Sequence, residues 1–307
     1  MGKRLLTLTV LLTAGCFAFQ SEAPSPQDQL DAAYKNLKDA EAKKDTDGVK
    51  KWSDETSKIA RQIVATAKPD DDAAKKQSID YAKQMDTYSE YALFAAAAQA
   101  GDPAKTIDLS ETLIQRNPKS QYVPQLIGAY LKAIQQSQGD AKAGDAAERM
   151  LAIDPTNEDA LLIAINSSSK RKANAKTIEY ANKLVEVMNS KPKPAGVSDA
   201  DWDKKKNSML GLGYWFAGVT YGTEGKYADA DKALRSALPH IEGNNQLLAI
   251  GLFHLGLADY KMGTRSHNKK MIQDALRYSE QSEAIRSPYQ AQAQANVRAI
   301  KAQLGQQ

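Results

Sequence analysis

The stretch GVTYGTEGKYADADKAL (218–234) places a glycine–lysine pair, Gly225–Lys226, just ahead of a helical pattern. That is the setting in which a P-loop cradles nucleotide phosphates. The chemistry needs a glycine at 220, a Ser or Thr hydroxyl at 227 to reach Mg²⁺, and a strand before the loop. The chain has Thr220 and Tyr227, and the preceding residues read as helix, so the stretch is a turn between two helices. Other chemistry is equally sparse. The three histidines, His240, His254 and His267, pair with no other ligand at helical spacing, and there is no His-Glu-x-x-His, no cysteine cluster and no Gly-x-Ser-x-Gly elbow. No cofactor or metal is expected. The one constellation open to catalysis is His254 facing Asp259 or Glu224. Asp70–Asp72 lack the spacing of a calcium loop and suit a helix N-terminus instead. Lys204–Lys206 read as a solvated helix face, and a net charge of +4 over 307 residues makes no case for nucleic acid.

The N-terminus reads as a secretory leader over residues 1–18. Lys3 and Arg4 precede an apolar run from Leu5 to Ala14, too short to span a bilayer, and small residues follow. TAGC (13–16) resembles a bacterial lipobox, with Thr13 where that pattern carries Leu, Val or Ile. The resemblance implies lipidation of Cys16, which would become the mature N-terminus. Cleavage after Ala18 is the other route, and it removes the chain's single cysteine. Either way the expectation is an exported protein of the periplasm or envelope. Its only contact with a membrane would be a lipid anchor at Cys16. Residues 19–27 form a tether.

The elements that would position any site are helices. Alanine, Lys, Gln and Leu dominate and β-branched runs are scarce. Turn signals divide the chain into thirteen helical stretches: 26–43, 46–67, 71–100, 104–117, 120–138, 141–153, 157–171, 174–189, 199–224, 227–240, 244–262, 268–285 and 288–305. Pro118, Pro155 and Pro192 recur at intervals of 37, each placed to stop the second helix of a hairpin. The expected fold is all-α, an α-solenoid of stacked antiparallel hairpins. Residues 28–189 form an N-terminal array, the Pro- and Gly-containing 190–200 a linker, and 201–307 a C-terminal array with a capping helix.

The order Tyr214, Ala217, Gly218, Tyr221, Gly225, Tyr227, Ala230, Leu234, Ala237 resembles a tetratricopeptide repeat. Ala217 replaces the usual Leu, and Leu234 the usual aromatic. The next unit keeps Leu252, Leu255, Gly256 and Gly263, has Asp259 where Tyr is usual, and inserts TRSHNKK (264–270) before its second helix. Gly128 takes the glycine role in LIGAYLKA (126–133).

The resemblance implies a right-handed superhelix whose first helices line a concave groove. Carried onto this chain, the groove positions are Tyr88, Tyr91, Tyr122, Gln125, Lys132, Asn166, Lys170, Trp215, Thr223, Phe253, Tyr260 and Lys261. Only Asn166 and Lys170 fall where chaperone-binding members hold a carboxylate, so that specificity is not carried over. The expected function is a non-enzymatic scaffold or adaptor that binds a peptide or protein segment. The alternatives are an envelope-assembly lipoprotein, a self-associating structural protein, and a small-ligand binder or enzyme with a site in the groove.

Overall fold

A computed structural model describes residues 24–305. The expectations for the leader, for Cys16 and for the start of the tether lie outside the described residues. Thirteen helices follow one another: α1 (Pro26–Ala42), α2 (Thr46–Ala65), α3 (Ala73–Gln99), α4 (Pro103–Arg116), α5 (Val123–Gln138), α6 (Asp140–Ile153), α7 (Glu158–Lys170), α8 (Asn174–Ser190), α9 (Asp199–Thr223), α10 (Tyr227–Ile241), α11 (Asn245–Ser266), α12 (Lys269–Glu283) and α13 (Gln290–Leu304). No strand occurs among the described residues, and no helix there is long and apolar enough to cross a membrane.

The helix ends follow from local chemistry. α4, α6 and α8 each stop two residues before Pro118, Pro155 and Pro192, because the residue before a proline is driven out of helical conformation. Asp45, Asp72, Asp102, Asn157, Ser198, Asn244 and Asn268 cap helix N-termini with their side chains. The acidic run at 70–72 is thus in part a cap: Asp72 accepts from the Lys75 amide at 2.7 Å. Two boundaries differ from expectation by three residues or more. α5 begins at Val123 rather than at 120, with Pro124 in its first turn, where a missing N–H costs nothing. α11 runs on to Ser266, so the first three residues of TRSHNKK are helical. His267 then ends it in a left-handed conformation (φ 53°).

Each helix packs on the next, and the odd-numbered helices also touch one another in succession from α1 to α13. Among the even-numbered helices only α2 and α4 come together. The odd layer is therefore the tighter, inner side of a curved stack, and the chain is an α-solenoid. The core runs continuously through the stack. Leu161 and Ile165 of α7, Leu184 and Met188 of α8, and Trp202 and Leu210 of α9 form one cluster across the segment 190–200. That segment is also pinned electrostatically. Glu158, 7% exposed, accepts from Lys191 at 2.5 Å and from Lys205 at 2.8 Å. Against burial, which pushes it up, these two ammonium groups hold the Glu158 carboxyl below its ordinary value.

Small residues set the helix spacing. A Cβ on Gly218 would lie 2.6 Å from Leu234 Cγ, and Ala230, Leu234 and Ala237 are fully buried on the facing helix. Gly225 turns the chain between α9 and α10 at φ +73°, as expected of a left-handed turn residue. Gly128 differs: its close neighbour is Asp159 of α7, so it serves the contact between two inner helices rather than its own hairpin.

Gly256, where the facing backbone leaves no room, is the position to test. A Cβ there would meet Ser279 Oγ at 2.6 Å, the Ser279 backbone nitrogen at 3.1 Å and the Ala275 carbonyl oxygen at 3.2 Å. Two of these atoms are helix backbone and cannot rotate away. Gly256→Val is expected to cost about 1–3 kcal/mol. Gly243→Ala, with nothing within 4 Å of the new Cβ, is expected to stay within about 0.5 kcal/mol. Thermal unfolding of the two variants beside the native chain checks this, and equal melting temperatures would remove the crossing argument.

Candidate functional site

The inner face carries one concentrated feature, a ledge of five aromatic rings near the N-terminal end. Tyr88, Tyr91 and Phe94 sit at three-residue intervals along α3, which keeps them on one side of the helix. Tyr34 of α1 meets Tyr88 edge-on at 5.3 Å between ring centroids. Tyr122, the residue just before α5, meets Tyr91 at 5.7 Å and stacks on Phe94 at 5.5 Å with planes 19° apart. Tyr91 lies 5.9 Å from Tyr88 and joins the two halves. It is 42% exposed, the one large hydrophobic side chain exposed among the described residues.

The ledge is held in place by charge. Tyr88 donates its hydroxyl proton to Glu41 at 2.8 Å and accepts from Lys38, which also pairs with Glu41 at 2.9 Å. Burial pushes the Tyr88 phenol up, and the bonded Lys38 opposes it. Beside the ledge a cleft of about 640 Å³ opens between α1 and α3. Its floor is Val49, Ala92, Ala95 and Ala96, its wall Tyr88 and Tyr91, and its rim Lys38, Glu41, Lys44 and Lys105. A second hollow of about 360 Å³ lies across Tyr88 and Tyr91, reaching Lys83, Gln84, Thr87 and Tyr122.

Of the expected groove residues, Tyr88, Tyr91 and Tyr122 come together. Gln125 and Lys132 are exposed on α5, Gln125 donating to the Gln121 carbonyl at 3.3 Å. Asn166 is exposed on α7 and donates to the Leu162 carbonyl at 3.0 Å, while Lys170 pairs with Asp140. Thr223 is exposed at the end of α9, its hydroxyl donating to the Val219 carbonyl at 2.7 Å. Lys261 is exposed on α11, and its neighbour Tyr260 is half-buried against Ile272 and Ile300. Trp215 corrects the expectation. It is buried, and its indole N–H donates to the Leu247 carbonyl at 2.8 Å, so it fills the space between α9 and α11. Phe253 is buried as well, stacked on Tyr289 at 4.8 Å.

Sequence reasoning missed Tyr34, Phe94 and the lysine rim. A signal for the cleft was present in YALFAAAAQA (91–100): a run of alanines on an inner helix leaves space unfilled.

The residues held open for catalysis do not assemble. Asp259, fully buried, accepts from Arg235 at 2.7 Å, and Arg235 also donates to Asp231 at 2.6 Å and to the Tyr278 hydroxyl at 2.9 Å. Burial pushes the Asp259 carboxyl up to about 7, Asp231 adds to the rise and Arg235 opposes it. Glu224 pairs with Lys226 at 2.8 Å. His254 is 4% exposed between Phe253 and Tyr289, and neither ring nitrogen has a hydrogen-bond partner. Burial pushes it down to about 4. Among the described residues no group of three or more His, Cys, Asp or Glu is placed to hold a metal.

No family model matches this chain, and no curated protein matches it either.

His254 makes a stability prediction. Its folded value is depressed from 6.5 to about 4. The unfolded chain therefore takes up the proton first, and native stability falls as pH drops through that window. His254→Phe lacks this loss. The variant is expected to match or exceed the native chain at pH 7. Its advantage should grow to about 3 kcal/mol near pH 4. Urea titrations across pH 4–7 measure it. A difference that stays flat with pH would place the histidine in solvent.

Proposed function

We propose that this chain is a non-enzymatic docking scaffold, a tetratricopeptide-like solenoid that binds a segment of another protein along its inner face. The observation that carries the reading is Tyr91. The described surface exposes one large hydrophobic side chain, and it sits at the centre of a five-ring ledge on the inner helices. Tyrosine gives large contact area at a small conformational-entropy cost and keeps a polar hydroxyl for hydrogen bonding, which is why it concentrates at binding surfaces. The leader-like pattern of residues 1–18 supports an exported scaffold of the cell envelope.

Capture from envelope extract tests docking. Tyr91→Ala/Tyr122→Ala is expected to lose a protein that the native chain retains, with an unchanged circular dichroism spectrum. Capture of the same set by both chains overturns the assignment. Mass spectrometry of the mature N-terminus tests export. The expected result is a chain beginning at acylated Cys16. A start at Phe19 keeps export and removes the anchor, and an unprocessed N-terminus overturns both.

A further inference from the structure

We propose that the cleft between α1 and α3 receives an acidic, extended segment of the partner protein. Carboxylates of that segment lie against Lys44 and Lys105, and an apolar side chain rests on the alanine floor beside Tyr91. The inference rests on the docking reading above and adds the chemistry of what docks.

Space comes first. Leu93 and Ala92 turn into the core, leaving Ala95 and Ala96 part-exposed at the gap between the two inner helices. Two methyl groups do not fill that gap, and about 640 Å³ stays open, within the range that accommodates a bound ligand. Shape comes next. Tyr88 and Tyr91 line both this cleft and the 360 Å³ hollow, so the two openings lie along the same side of α3. Two openings flanking the same pair of tyrosines suit an extended chain laid across the ledge.

Charge then selects the occupant. Lys38 is committed to Glu41 and the Tyr88 hydroxyl, and Lys83 at the far end is held by Asp80 at 3.1 Å. Lys44 and Lys105 line the cleft and pair with no carboxylate among the described residues. Two uncompensated ammonium groups stand over an apolar floor in a chain that is near neutral overall. An anion without an apolar part leaves the floor uncovered, and an apolar segment without acids leaves the lysines unmatched. A segment carrying both satisfies both. The Lys38–Glu41 brace fixes the Tyr88 ring beforehand, which lowers the ordering cost of binding.

The test is selection from a random-peptide display library on the full mature chain, followed by titration of the winning synthetic peptides. Winners are expected to be rich in Asp and Glu interspersed with Leu, Ile, Phe or Tyr, and to bind more weakly as salt rises. Lys44→Asn/Lys105→Glu should weaken them about tenfold. Neither change threatens folding: Lys44 sits at φ 54°, which asparagine tolerates, and Lys105 is in the first turn of α4, which a glutamate favours. Ala95→Trp, which fills the cleft, should weaken them as much while the lysines remain.

Winners without an excess of acids, or winners indifferent to all three substitutions, overturn the proposal. Winners that need Tyr91 and Tyr122 but not the lysines leave docking standing and sink the acidic segment. The same holds if no peptide is enriched while the envelope partner is still captured through the tyrosines. A native chain that dimerises and becomes monomeric on Lys44→Asn/Lys105→Glu makes the occupant a second copy and likewise overturns the proposal.

Discussion

A two-helix hairpin has an apolar face that it cannot cover by itself, and every other feature of this chain follows from how the next hairpin covers it. Stacking also needs each hairpin to be thin, with small residues where its own two helices cross. Gly218 over Leu234 and Gly256 over Ser279 leave no room for a β-carbon, and the fully buried Ala230 and Ala237 keep the same interface thin. With every second helix held close to the last, the inner helices meet and the outer ones splay. Curvature is thus a packing consequence, and the inner face is where side chains from different hairpins converge.

Departures from the repeat pattern show how strict this constraint is. Tyr221 fills the space beside α8, its hydroxyl accepting from Asn182 at 3.1 Å. One unit later the equivalent residue is Asp259, a buried carboxylate that is costly unless paired. The structure supplies Arg235 from the preceding unit to one carboxylate oxygen, and Arg235 is itself held by the Tyr278 hydroxyl of the following helix, while Asp259 Oδ1 has no hydrogen-bond partner. The departure is therefore offset in part by a cross-repeat ion pair. The Pro-containing segment 190–200 is treated in the same way. Glu158 gathers Lys191 and Lys205 around one buried carboxylate, and the apolar cluster of α7, α8 and α9 runs past the segment.

The ledge stands out against this background because it is not consumed by packing. Trp215 and Phe253 are aromatic residues of the inner helices too, and both are buried between hairpins. Tyr91 is not, and the alanines that follow it on α3 leave a cleft where other hairpins interlock. An aromatic surface next to unfilled space and unmatched positive charge is what a recognition site needs, and it costs little stability because neighbouring α5 still buries Leu126, Tyr130 and Leu131.

The sequence by itself determined the helices and their order. Caps, prolines at intervals of 37 and the spacing of small residues are local signals, and a helix obeys them without knowing its neighbours. The glycine turn at 225 and the close crossing at 218 were legible for the same reason. The failures were of facing and distance. The repeat register placed Trp215 in the groove, yet a rotation small against one helical turn carries that ring into the core, where Leu247 of α11 accepts its proton. Tyr34, Tyr88 and Tyr122 are separated by 54 and 34 residues, and no local pattern says that their rings approach to within 6 Å of a common neighbour or of one another. The cleft is more distant still from the sequence, since it is made by what α1 and α3 leave empty. Periodicity reports what each helix is; only the stacking of one hairpin on the next decides which faces are covered and which stay open, because coverage belongs to pairs of elements and not to either alone.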